Sequence, residues 1–119
     1  MENDQESPKH ITTVCAHEAR ELMKSGSCRY LDVRMFEDFE KSHVDGAFNV
    51  PYYSQGKEKN PEFLNLVSSI FQKDDHFLVG CMTGGRSKYA SMDLFKEGFK
   101  NVKNMGGGYK AYMSMEQTT

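Results

Sequence analysis

Two rhythms of apolar residues alternate along the chain: short continuous runs of strand length, and stretches whose apolar positions fall three or four apart. After a polar opening from Met1 to His10, which holds Pro8 and reads as a loose tail, Ile11 to Val14 forms the first run. Ala19, Leu22 and Met23 then predict a helix over Ala16 to Lys24, stopped by Ser25-Gly26, and Arg29 to Val33 predicts a strand. Phe36 and Phe39 in the charged segment MFEDFEKS suggest a short helix with one apolar side. His43 to Pro51 reads as a loop entering the strand Phe48-Asn49-Val50, and Tyr52 to Asn60, with Gly56, as a surface excursion.

The second half repeats the alternation. Pro61 suits a first helical position, and Phe63, Leu64, Val67, Ile70 and Phe71 mark the buried face of a helix reaching about Phe71. Phe77 to Gly80 is a strand. Tyr89, Met92, Leu94 and Phe95 predict the inner side of a helix starting near Ser87 and ended by Gly98. Val102 to Met105 predicts another strand, followed by Gly106-Gly107-Gly108 and a last helix from about Tyr109. Strands alternating with helices define an α/β fold with a mainly parallel central sheet, here expected as one domain over residues 11–119.

Composition narrows the classes of function. With 38% hydrophobic and 27% charged residues in 119, the chain resembles a soluble globular protein, and its formal charge of −2 argues against nucleic acid or a membrane surface as partner. No apolar run approaches the roughly 20 residues needed to cross a bilayer. The opening MENDQES is acidic, unlike secretory or organelle leaders, which leads to an expectation of a cytoplasmic protein. Cys15, Cys28 and Cys81 form no C-x-x-C unit or metal cluster, so free thiols in a reducing compartment are expected, with no metal or organic cofactor.

The chemistry concentrates in one segment. The strand HFLVG runs into Cys81-Met82-Thr83-Gly84-Gly85-Arg86 and then a helix, which puts a thiol at the carboxyl end of a strand, where open α/β sheets bind ligands. The glycines let successive N–H groups turn inward, and the helix aims its positive end at the same point, so an anion is stabilised there. Such settings lower a cysteine pKa from about 8.5 to roughly 3.5–7.5, making Cys81 a candidate nucleophile. Arg86 can hold an oxyanion by charge-assisted hydrogen bonds, and Ser87 can cap the helix or donate its hydroxyl to the thiolate.

YLDVR (Tyr30 to Arg34), Phe39 ahead of His43, the stretch His43 to Pro51 (HVDGAFNVP), the loop CMTGGRS and Gly107-Gly108 occur in one order. In this combination the chain resembles a single-domain rhodanese, and particularly the short plant sulfurtransferases, over about Thr13 to Met113. The resemblance implies a sheet with helices on both faces and a Cys81 that takes the outer sulfur of thiosulfate as a persulfide. That sulfur passes to cyanide or a thiol, a protein thiol among the acceptors. Arg86 would bind the anionic donor, with Met82, Thr83, Gly84, Gly85 and Ser87 forming the cradle. Asp32 and Arg34, on the same side of their strand, would tie loops together near the site.

Two positions depart from the family pattern. Thr83 stands where some members carry a cation that helps bind thiosulfate, and Tyr112 stands where tryptophan is usual. Competing readings are arsenate reduction on the same fold and a module that senses redox state or delivers sulfur to a partner protein. Phosphatases of this fold typically place five residues between cysteine and arginine, and this chain places four. His43 reads as a loop residue and not a base, Cys15 and Cys28 as bystanders, the methionines as gap-fillers, and the triple glycine as a tight turn.

Overall fold

The computed structural model describes residues 11–54 and 58–117; the expected tail over 1–10 and the middle of the 52–60 excursion lie outside the described residues. The elements in chain order are β1 (Thr12–Val14), α1 (Ala16–Lys24), β2 (Arg29–Asp32), α2 (Phe36–Lys41), β3 (Phe48–Asn49), α3 (Phe63–Ser68), β4 (His76–Gly80), α4 (Gly85–Glu97), β5 (Asn101–Met105) and α5 (Gly108–Gln117). The five strands form one sheet in the order β1-β5-β4-β2-β3, with every pairing parallel. All strands therefore end on one edge.

Alternation along the strands divides the core in two. Leu31, Phe77, Val79 and Val102 face one layer with Phe63 and Val67 of α3 and Ala90 and Leu94 of α4. Tyr30, Leu78 and Met105 face the other, with Ala16 and Ala19 of α1 and Tyr109 of α5. Helices thus cover both faces, as an all-parallel sheet requires, because its strands otherwise expose apolar side chains on one side. Aromatic contacts anchor the first layer: Phe71 stacks on Phe77 with ring centroids 4.1 Å apart, and Phe99 meets Phe77 edge-on at 5.8 Å.

Three local expectations are corrected. The helix after Pro61 stops at Ser68 and not near Phe71. The Ser69 hydroxyl donates to the Leu66 carbonyl at 2.6 Å, and the N–H groups of Ile70 and Phe71 both donate to Val67 O at 2.9 Å. Phe71 still reaches the core, but on a turn. In α2 no residue is buried, and Phe36 is 55% exposed on the wall of a cleft shared with Met35, Pro51 and Tyr53. The other apolar member, Phe39, stacks on His43 at 3.7 Å, so the helix uses its aromatic side for local contacts.

The third correction concerns α4, which begins at Gly85, two residues before the expected start, and leaves Tyr89 56% exposed. Its buried face is Ser87, Ala90, Ser91 and Leu94. Three of those four residues are small, which lets the helix lie close to the sheet, and a reading weighted toward large apolar residues passes over them. Ser91 Oγ is buried without a hydrogen-bond partner among the described residues. Because an unsatisfied buried hydroxyl opposes folding, S91A should raise stability by about 1 kcal/mol, read as a higher urea midpoint with an unchanged slope.

Candidate active site

In the sheet, the chain steps outward from β2 to β3 and then returns to the other side of β2 with β4 and β5. The reversal lies between β2 and β4, and ligand crevices of open α/β sheets form at such a point. Cys81 directly follows β4 there, with Asp32 of β2 registered beside Gly80 and Asn104 of β5 beside Val79.

The loop is held from below by α5. The Tyr109 N–H donates to Cys81 O at 2.8 Å and the Lys110 N–H to Met82 O at 3.0 Å, which occupies both carbonyls with otherwise unpaired amides of a helix start. The approach needs glycine: a Cβ on Gly108, whose φ is +64°, would stand 2.5 Å from the Met82 carbonyl. Gly84, at φ +108°, is the residue before α4, and a Cβ there would meet Gly107 N at 3.2 Å.

With the carbonyls turned away, the amides converge on sulfur. Cys81 is 1% exposed, and its Sγ accepts from the N–H of Gly84 at 3.1 Å and of Ser87 at 3.3 Å. The thiol also lies 3.5 Å from Ser87 Oγ. Burial is the largest single influence on the Cys81 pKa and pushes it up. A hydrogen bond with the Ser87 side chain and those from the N–H groups of Ser87, Gly84 and Thr83 together outweigh it and leave the thiol below its ordinary value of 9.0. Burial raises Cys28 instead.

Ser87 does not cap α4. It lies in the first turn, its hydroxyl donating to Asn104 Oδ1 at 2.6 Å, with Gly84 O at 3.2 Å as a second acceptor. Met82 is half-buried, Thr83 is exposed, and Gly85 opens α4 with open space where a Cβ would stand. Arg86 is half-buried in the same turn, and its side chain makes no hydrogen bond or ion pair among the described residues.

Asp32 and Arg34 form a closed pair beside this loop. Arg34 is 2% exposed; its Nη2 donates to Asp32 Oδ2 at 2.8 Å and to Ser42 O at 2.8 Å, and its guanidinium lies 4.6 Å over the Tyr109 ring. Burial works against its charge, but the hydrogen bonds and field of Asp32 hold the guanidinium above its ordinary pKa. The pair ties β2 to the loop after α2 and to the α5 start that holds Cys81. His43 is exposed, its Nδ1 2.7 Å from Phe39 O, and Cys15, Cys28 and Cys81 are all free thiols.

Asn104, Tyr109 and Tyr30 were not singled out by sequence reasoning. A buried asparagine in the strand NVKNM was the available signal, since a polar residue in a core strand requires a partner. Tyr30 lies under Gly80, where any Cβ would overlap its hydroxyl, and burial pushes its phenol far above the usual range.

A parallel α/β domain with a cysteine ringed by loop amides defines the class, and the family follows from comparison. The model of the Rhodanese-like domain matches residues 15–115, and the chain belongs to that family. It is 44% identical over 115 residues to thiosulfate sulfurtransferase 16, chloroplastic, of Arabidopsis thaliana, covering 94% of this chain and 92% of that protein. It is 45% identical over 106 residues to protein HIGH ARSENIC CONTENT 1, mitochondrial, of the same plant, covering 87% of this chain but only 62% of that protein. Among solved structures, the human single-domain sulfurtransferase TSTD1 superposes with a TM-score of 0.70 at 27% identity, covering 87% of this chain and 96% of that one. These relatives support a sulfurtransferase activity.

Two predictions follow from the geometry. D32N should destabilise the fold by about 3 kcal/mol in urea titration, because it leaves the Arg34 charge buried without its counter-ion. Cys81 has a depressed folded pKa, so its contribution to stability is complete above the ordinary thiol value of 9.0 and is lost as pH falls through the folded value. The stability difference between wild type and C81A should therefore grow as pH rises toward 9.0. A flat or falling difference would contradict the assignment.

Proposed function

We propose that the protein transfers sulfane sulfur through a persulfide on Cys81, with thiosulfate or a related anion as donor and cyanide or a thiol as acceptor. The observation that carries this reading is the ring of N–H donors around a buried sulfur. In the first half-reaction the Cys81 thiolate attacks the outer sulfur of thiosulfate, the donor S–S bond breaks, and sulfite leaves with its electron pair. In the second, an acceptor thiolate or cyanide attacks the terminal sulfur, and the pair of the broken bond returns to Cys81 as thiolate.

Burial of Sγ suits this sequence. A persulfide extends the reactive atom by roughly 2 Å, so the transferable sulfur projects toward the mouth while the amides keep the inner one. Met82, Thr83, Gly84, Gly85 and Ser87 form the cradle, and Arg86, whose side chain makes no hydrogen bond or ion pair among the described residues, is available to the oxyanion end of the donor. With Thr83 in place of a second cation, Arg86 carries that task alone within the loop.

A second reading is arsenate reduction, favoured by the 45% identical relative named for arsenic content. A reducing compartment belongs to the proposal through the three free thiols, and relatives are named chloroplastic or mitochondrial. No helix among the described residues is long and apolar enough to cross a membrane.

Incubation with thiosulfate followed by intact-mass measurement and cyanolysis tests the proposal. Wild type should gain one cyanolysable sulfur and C81S none; absence of the adduct in wild type would end the persulfide reading, and arsenite formation in a parallel arsenate assay would favour the alternative. R86A should raise KM for thiosulfate about tenfold or more while kcat changes less, as expected for a residue that binds the donor.

A further inference from the structure

Ser87 has one hydroxyl proton and three acceptors within reach: Asn104 Oδ1 at 2.6 Å, Gly84 O at 3.2 Å and Cys81 Sγ at 3.5 Å. With the proton on Asn104, the thiol S–H can donate to Ser87 Oγ, and Asn104 Nδ2 donates onward to Thr13 Oγ1 at 3.4 Å. All donors in this chain then run away from the sulfur. That order satisfies a protonated Cys81. It does not give the anion the Ser87 hydroxyl.

The chain has a second polarity. The two ends of a carboxamide are nearly the same size, and Thr13 has a hydroxyl that both donates and accepts. If the Asn104 amide turns over, Thr13 Oγ1–H donates to Oδ1, Nδ2–H donates to Ser87 Oγ, and the Ser87 proton is released to the sulfur. The Ser87 and Thr13 hydroxyls and the Asn104 carboxamide each keep a partner in either arrangement. Asn104 is 3% exposed and Ser87 0%, so water does not replace either partner cheaply, while Thr13 opens to solvent on β1.

We infer that Asn104 is a positioning residue whose carboxamide reverses a Cys81–Ser87–Asn104–Thr13 hydrogen-bond chain as the charge on Cys81 appears and disappears. The thiol proton leaves to a solvent base, and the chain turns toward the sulfur. When the sulfur becomes the inner atom of a persulfide it is neutral and a weak acceptor, and the Ser87 proton returns to Asn104. When the acceptor displaces Cys81 as thiolate, the chain turns back. The last two steps rest on the proposed persulfide; the first needs only an ionising Cys81.

Near the sulfur, Tyr30 of β2 interacts with Cys81, Asp32, Arg34 and Tyr112; Tyr109 and Lys110 of α5 bind the carbonyls of Cys81 and Met82; and Arg86 lies in the first turn of α4. Lys103 of β5 acts on Cys28.

The test is alkylation of the full chain by iodoacetamide from about pH 5 to 9, followed at the Cys81 peptide by mass spectrometry. S87A should lower the neutral-pH rate about tenfold, the effect of one charge-assisted hydrogen bond. N104D offers acceptors only and holds the Ser87 proton. It also brings a charge, and the double variant separates the two: charge alone slows alkylation equally with and without Ser87, whereas the reversing chain requires a loss about tenfold larger when Ser87 is present. Equal losses in both backgrounds overturn the inference. If circular dichroism shows that N104D does not fold, T13V decides, because it keeps a β-branched residue on an exposed strand position. It should slow Cys81 alkylation about threefold, and not at all when Ser87 is alanine. A T13V profile superimposed on wild type would then overturn the inference. No sulfur donor enters this assay, so its outcome is independent of whether thiosulfate is the substrate.

Discussion

Everything chemical in this protein depends on giving a buried sulfur atom enough N–H donors to carry negative charge. Cys81 is 1% exposed, and burial alone raises a thiol pKa. The amides of Gly84 and Ser87 reach it because the carbonyls of Cys81 and Met82 are already bound by α5. A peptide carbonyl pointing the other way would place a partial negative charge against the thiolate. The start of α5 is therefore as much a part of the anion site as the loop itself. That start is in turn packed under Arg34, which Asp32 neutralises and Ser42 O orients.

This order of dependence explains why a buried ion pair is found so close to the reactive thiol. Such a pair is a weak source of net stability, since desolvation offsets much of its attraction. Here it joins the end of β2, the loop after α2 and the first turn of α5. Its effect on chemistry is positional: it keeps Tyr109, and so the Tyr109 N–H, beneath the Cys81 carbonyl. The arginine proposed to meet the donor is a different one, Arg86, whose side chain makes no hydrogen bond or ion pair among the described residues.

Polar groups within the α4 face divide by the same logic. Ser87 and Asn104 satisfy one another and reach the sulfur. Ser91, one turn along, has no hydrogen-bond partner for its hydroxyl among the described residues. Two buried serines on one helix face thus differ in role because only one lies opposite a strand residue that can answer it.

The sequence by itself determined the order of elements, their parallel α/β class and a candidate site in the segment from Cys81 to Ser87. These are local properties: apolar periodicity, glycines that permit positive φ, and a helix start all lie within a few residues of what they shape. Asp32 and Arg34 were also legible as a same-side pair, because strand geometry alone fixes their direction. Tertiary structure decided the rest. Only the fold brings the amide of Tyr109 under Cys81, Asn104 against Ser87, and Thr13 to the end of that chain, since these contacts join distant segments across β4, β5 and β1. Only packing reveals that α4 turns its small residues inward and leaves Tyr89 in solvent, because closeness to the sheet, and not residue hydrophobicity, selects that face.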